Sequence, residues 1–292
     1  MSENKTQKVT IPFLRAQKER KEKILALTAY DFPIAKILDE AGIDIILVGD
    51  SLAMVVLGYE NTIPVTMDEM IHHTKPVARA VKRALVVGDM PYFSFHRSVD
   101  ETVFNASRFI KEAGAGAVKI EGASRKRLLL TESLIEAEIP VMGHVGLTPQ
   151  SIHHLGRFKV KGKEAEDADK IVEDALNLEK AGVFSIVLEC VPMELARIIT
   201  EKVKIPTIGI GAGPYCDGQI LVFHDLIGLA NGYSPKFVKK YANAQDLFSK
   251  AVKDYISDVR VGKFPDAVTS YQLSSKKILE ELLEKKRKVK KL

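Results

Sequence analysis

Eight short apolar runs bounded by glycine or proline recur along this chain, with helical patterns in the intervals. That alternation restricts the fold more than any other feature, because parallel strands bury both faces and need crossover helices. The runs are ILALTAY (24–30), IDIILVGD (43–50), ALVVGDMP (84–91), AVKIEG (117–122), PVMGHVG (140–146), FSIVLEC (184–190), PTIGIGAG (206–213) and HDLIGLA (224–230). Between them, DFPIAKILDEAG sets Asp31 as an N-cap and places Ile34, Ile37, Leu38 and Ala41 on one face. It ends at Gly42, where glycine suits a left-handed turn. Thr66 with Glu69, and Ser98 with Glu101, have the spacing of capping boxes. EAEDADKIVEDALNLEKAG (164–182) is amphipathic over its length, and Pro192 opens the next helix at a first-turn position. Pro76, inside HHTKPVARAV, is expected to spoil or kink its helix.

Eight strands alternating with helices predict a parallel sheet closed into a (β/α)8 barrel, with a doubly wound open sheet as the alternative. IPFLRAQKERK (11–21) reads as an extra N-terminal helix closing the bottom of the barrel, and 244–262 as the eighth helix. No change of composition divides residues 1–275, which are expected to form one catalytic domain. Residues 276–292 read as a basic helical or disordered tail. That tail holds seven lysines and one arginine against three glutamates, so it accounts for the whole net charge of +5. It is expected to be a solvated helix with Ile278, Leu279, Leu282 and Leu283 packed on the body. No aromatic residue is interleaved and the body has no charge surplus, so no nucleic-acid partner is expected. No run approaches the roughly 18 apolar residues of a membrane span, and the charged first two dozen residues do not resemble a secretory signal. Cys190 and Cys216 make neither a disulfide framework nor a zinc spacing, which suggests a reducing, cytoplasmic setting.

In a parallel barrel every strand's carboxyl end lies on one face, where active sites are built. The second run ends in Asp50-Ser51 and the third in Asp89. The fourth carries Lys119 and Glu121, the fifth His144, and the sixth ends in Glu189. Neighbouring strands lie roughly 4.8 Å apart, so these groups fall on one arc of the rim. Singly, each has a structural reading: Asp50 and Asp89 as turn or cap residues, Lys119 and Glu121 as a buried pair, His144 as a core histidine, Glu189 as a cap. Together they would raise one another's pKa, and a divalent cation resolves that conflict. Carboxylate oxygens without a Cys–His set suit Mg2+. The pattern therefore predicts metal-assisted chemistry on a small oxygen-rich substrate, with Glu189 as acid–base and Lys119 countering a carboxylate or oxyanion.

Other signals carry less. GIGAGP follows the seventh run, and Pro214 stands where a nucleotide-binding helix would begin, so close backbone packing is the better reading. His72-His73 reads as structural or surface. His153-His154 is compatible with the wall of a second-substrate pocket. Both cysteines read as small apolar fillers.

The blocks ILALTAYD, ILVGDSLAMVVLGYENTIPVTMDEMIHHT, GDMPYFSF, AVKIEG, VMGHVGLTPQS, VLECVP and IGIGAGPYCDGQILVFHDLIGL resemble, in order, those of the ketopantoate hydroxymethyltransferase family from about residue 8 to 273. The resemblance implies a barrel of the phosphoenolpyruvate-utilising type. It implies hydroxymethyl transfer from 5,10-methylenetetrahydrofolate to 3-methyl-2-oxobutanoate, giving 2-dehydropantoate and tetrahydrofolate in pantothenate biosynthesis. It assigns one Mg2+ per subunit to Asp50, Asp89 and Glu121. The 2-oxo acid falls to Asp50, Ser51, Asp89 and Lys119, and proton removal to Glu189, with His144 as a possible secondary member. It implies a cytoplasmic homo-oligomer, a decamer, with the oxo acid and the folate as its small-molecule partners. Arg157-Phe158 departs from the Gly-Tyr-like pair expected of the family, in a loop assigned to the folate side. The competing reading is another Mg2+-dependent carbon–carbon enzyme of the isocitrate lyase or phosphonopyruvate mutase type, but EGASRKR lacks the cysteine-bearing loop expected there.

Overall fold

The computed structural model describes residues 7–156, 159–229 and 235–289. These fall into two compact units, Met1–Tyr241 and Ala242–Leu292; the sequence reading carries the barrel domain on to residue 275. The first unit is a closed barrel of eight parallel strands paired in chain order, β8 returning to β1. The strands are β1 (Ile24–Thr28), β2 (Ile45–Val48), β3 (Leu85–Asp89), β4 (Ala117–Lys119), β5 (Val141–Gly146), β6 (Ser185–Glu189), β7 (Thr207–Ile210) and β8 (Gly218–Leu221).

Side-chain alternation divides the core in two. Ile45, Leu47, Leu85, Val87, Ala117, Met142 and Val187 fill the barrel interior. Their neighbours Ile46, Val48, Val86, Val118, Val141, Ile186 and Leu188 pack outward against the helices. The helix Ile11–Glu19 starts on the Thr10 cap and adds Leu14 to the interior cluster. Lys18 Nζ fixes this helix on Asp217 Oδ2 at 2.8 Å and on the carbonyls of Thr200 and Ile205. It closes the amino end of the barrel, as expected from the sequence.

Gly88, an outward position of β3, must be small because Phe109 packs directly over it. A Cβ there would stand 2.6 Å from Phe109 Cε1 and 2.8 Å from Cγ. Gly88→Ala is therefore expected to destabilise the barrel by about 1–3 kcal/mol through overpacking, read as a lower denaturant midpoint. An unchanged midpoint would show that Phe109 can turn aside.

Two expectations are corrected. HDLIGLA is not the eighth strand: His224 to Leu226 belong to a short helix, Phe223–Leu226, and β8 is the preceding GQIL. The reading assumed a helix in every interval, yet β7 and β8 are joined by the short loop 211–217. Helical spacing therefore placed the last strand too late. Pro76 does not break its helix, which runs on over Met67–Ala80 with the capping box at Thr66 and Glu69 formed. The tail is helical over Lys276–Val289, as expected, and within the second unit Ile278, Leu279, Leu282 and Leu283 are not covered. Among the described residues no helix is long and apolar enough to cross a membrane.

Candidate active site

The interior parity that buries Leu85 and Val87 continues to Asp89, and that of Ala117 continues to Lys119 and Glu121. Met142 leads likewise to His144, and Val187 to Glu189. Apolar residues thus fill the lower barrel and ionisable ones its carboxyl mouth. There they floor a cavity of about 400 Å³ whose lining includes Asp50, Ser51, Asp89, Lys119, Glu121, His144 and Glu189. Its walls are largely apolar, with Met54, Leu147, Val187, Ile210 and Phe237 among them. All seven sequence-predicted site residues are brought together.

The register sets Asp89 beside Lys119, and Lys119 Nζ stands 2.7 Å from Asp89 Oδ1, with both side chains buried. The other Asp89 oxygen accepts the Asp50 N–H at 3.1 Å, which holds the turn after β2 over the mouth. His144 lies between two carboxylates: Nδ1 is 3.6 Å from Glu121 Oε1 and Nε2 is 3.3 Å from Glu189 Oε2. Ser51 Oγ is 2.8 Å from the hydroxyl of the buried Tyr30. His73 Nδ1 in turn meets the Tyr30 carbonyl at 2.7 Å, so this histidine is structural.

Charge is unbalanced here. Burial, then Asp89, pushes the Asp50 carboxyl up to about 7, and burial raises Glu121 well above the usual carboxylate range. Burial alone would lower Lys119, but Asp89, Glu121 and Asp50 outweigh it and hold the ammonium above its ordinary value. Lys119 is the buried lysine among these carboxylates, while Lys159 and Lys236 also line the cavity but are exposed, so the buried floor of the mouth is short of positive charge.

Gln150, in the turn Pro149–Ser151 after β5, was not singled out from the sequence. Its Nε2 donates to Asp50 Oδ2 and to the Met90 carbonyl, each at 3.0 Å, and its N–H donates to Glu121 Oε2 at 3.2 Å. No sequence signal marks it, since glutamine in a polar loop is ordinary. Cys190 lines the cavity, but burial pushes its thiol up to about 12, which agrees with a filler rather than a nucleophile. Gly211 and Gly213 lie against Phe237 and Met193, so the glycine run serves close packing. His153 is exposed and does not line the cavity. Arg157 and Phe158 lie outside the described residues, and the side chain of His154 is likewise outside the description.

A closed parallel barrel with an acidic carboxyl mouth defines a (β/α)8 enzyme fold. Solved structures of similar fold include phosphonopyruvate hydrolase in complex with oxalate and Mg++ (14% identity, 96% of each chain, TM-score 0.58). Another is 2,3-dimethylmalate lyase, a member of the PEP mutase/isocitrate lyase superfamily (14% identity, 96% of this chain and 97% of that one, TM-score 0.58). Within that fold the chain belongs to the ketopantoate hydroxymethyltransferase family, which it matches over residues 8–267. It is 59% identical over 258 residues to the 3-methyl-2-oxobutanoate hydroxymethyltransferase of Syntrophomonas wolfei subsp. wolfei, covering 88% of this chain and 93% of the relative. It is 56% identical over 270 residues to that of Thermoanaerobacter sp. strain X514, covering 92% and 98%.

Proposed function

We propose that this chain transfers a hydroxymethyl group from 5,10-methylenetetrahydrofolate to 3-methyl-2-oxobutanoate, with water supplying the hydroxyl oxygen. The products are 2-dehydropantoate and tetrahydrofolate, on the way to pantothenate. The observation that carries this reading is family membership over residues 8–267 joined to a barrel mouth where Asp50, Asp89, Lys119, Glu121 and Glu189 meet. On the same reading the chain works in the cytoplasm as a homo-oligomer, and the barrel unit carries the chemistry.

The mouth fits Mg2+ on the chemistry of its donors: oxygen-rich, buried and short of positive charge. Among the described residues no group of three or more His, Cys, Asp or Glu side chains is gathered closely enough to hold a metal ion, so the fit rests on donor chemistry, with waters and substrate oxygens completing the shell. Asp50, Asp89 and Glu121 would hold it, directly or through water. Once bound, such an ion supplies Lewis-acid withdrawal of electron density from the 2-oxo group.

The chain's own residues do the rest. Lys119 offers an ammonium to the substrate carboxylate or to charge developing on the oxo oxygen. Ser51, held by Tyr30, offers a hydroxyl to the same end of the substrate. Leu147, Val187 and Ile210 take the branched alkyl end and keep water from C3. Glu189, at the end of β6 and half-buried beside His144, accepts the C3 proton. Water cleaves the two C–N bonds of the folate methylene to release the one-carbon unit as a carbonyl. C3 bonds to its carbon, and its oxygen takes up a proton to become the new hydroxyl. Orientation of the two reactants in one cavity supplies several kcal/mol of the acceleration. The alternative, an isocitrate lyase-like or phosphonopyruvate-forming activity, is not favoured, since the likeness to that group lies in fold alone.

Incubation with both substrates and Mg2+ is expected to yield 2-dehydropantoate, EDTA to stop it, and added Mg2+ to restore it. Product formation indifferent to EDTA would remove the cation from this reading. No product under any condition would remove the reaction.

A further inference from the structure

Gln150 joins parts of the mouth that the barrel itself does not join directly. Strands β2 and β4 are not neighbours, because β3 runs between them. The carboxylates of Asp50 and Glu121, at the ends of those two strands, are therefore related only through β3, with no direct backbone ladder between them. Gln150 spans the two, with its main-chain N–H on Glu121 and its side-chain amide on Asp50. The second amide contact is to the carbonyl of Met90, the residue after Asp89. A carbonyl can only accept, so the amide cannot be turned over, and Asp50 must also be the acceptor. One residue of the β5 loop thus reaches the ends of three consecutive strands.

We propose that Gln150 is a positioning residue that holds the Asp50 and Glu121 carboxylates at the separation needed to bind a divalent cation. The inference rests on the reading of the mouth given under Proposed function. Gln150 is 6% exposed and does not line the cavity, so it acts through the carboxylates and not on substrate. A filling role alone does not account for it. Its Oε1 is buried without a hydrogen-bond partner among the described residues, a cost that an apolar side chain of similar volume would avoid. Hydrogen-bonding groups behind metal ligands ordinarily alter affinity by about 10–100-fold when removed.

Gln150→Met tests this. The substitution keeps the volume and the N–H to Glu121 but deletes both amide contacts. Binding of Mn2+ alone, followed by the EPR signal of the free ion, is expected to weaken by about 10–100-fold. Gln150→Asn, one methylene shorter, should lie between it and the wild type. Circular dichroism of each variant gives the folded fraction, and Mn2+ affinity is taken per folded site. Wild-type affinity in folded Gln150→Met would overturn the positioning role. If that variant does not fold, wild-type affinity in Gln150→Asn overturns it equally. Failure of the wild-type chain itself to take up Mn2+ would instead overturn the reading of the mouth as a cation site, and this inference with it.

Discussion

Glu189→Gln is expected to lose deuterium exchange at C3 of 3-methyl-2-oxobutanoate by about 10²–10⁴-fold, while binding of the oxo acid changes little. The range is that of a positioned general base. The amide keeps the shape of the carboxylate and still reaches His144 Nε2, which stands 3.3 Å from Glu189 Oε2 in the native mouth. What it lacks is an anionic oxygen to take a proton. Binding should survive because the groups assigned to the oxo acid, Asp50, Ser51, Asp89 and Lys119, lie on other elements of the rim. Proton NMR in deuterium oxide follows the exchange without the folate, which separates proton removal from carbon transfer. Exchange at the native rate would take the proton-accepting role away from Glu189. Loss of exchange together with loss of binding would recast Glu189 as a substrate contact.

The residues legible in the sequence share a physical signature. Asp89, Lys119, Glu121, His144 and Glu189 each interrupt an apolar strand at the same end, and strand parity then fixes which way they face. Because inward positions below them are apolar, an inward ionisable group at the top has few neutral explanations. Asp50 was legible for a related reason, since the run before it is buried on both faces. Gln150 was not legible, because its importance arises from closure: only when β4 and β5 pair does the β5 loop come over the ends of β2 and β3. The place of β8 was misjudged for a similar reason. The loop 211–217 replaces a crossover helix, and chain spacing alone does not announce that. Around the tail, the apolar stripe of Ile278, Leu279, Leu282 and Leu283 marked a helix correctly, but the pattern says nothing of what, if anything, covers it.

Lys119 is where stability and chemistry are most tightly joined. Its ammonium is the buried cation that offsets Asp50, Asp89 and Glu121, and it stands 2.7 Å from Asp89 Oδ1. Lys119→Met keeps most of the stem but leaves those carboxylates buried without it. Removing one partner of a buried pair costs about 3–5 kcal/mol, so cation-free protein should melt roughly 10 °C lower at 2–4 °C per kcal/mol. The loss should depend on pH with a definite sign. Asp50 is already pushed up to about 7 and Glu121 well above its ordinary value, and loss of the ammonium raises both further. Between the unfolded carboxylate range near ~4 and those raised values, the folded chain binds more protons than the unfolded one. Stability therefore falls as pH rises through that window, and the variant should be nearer the wild type at pH 5 than at pH 8. Mg2+ should stabilise the variant more than the wild type, because the ion no longer meets a resident positive charge. At 100 times its dissociation constant a ligand contributes about 2.7 kcal/mol, enough to return a large part of the loss. Turnover should still fall by about 10²–10³-fold at saturating Mg2+, the usual effect of deleting a group aimed at developing negative charge. Thermal melts with and without Mg2+ at the two pH values decide the matter. A variant that melts like the wild type at pH 8 without metal would show that the mouth balances its carboxylates without Lys119, and the electrostatic account of this site would have to be abandoned.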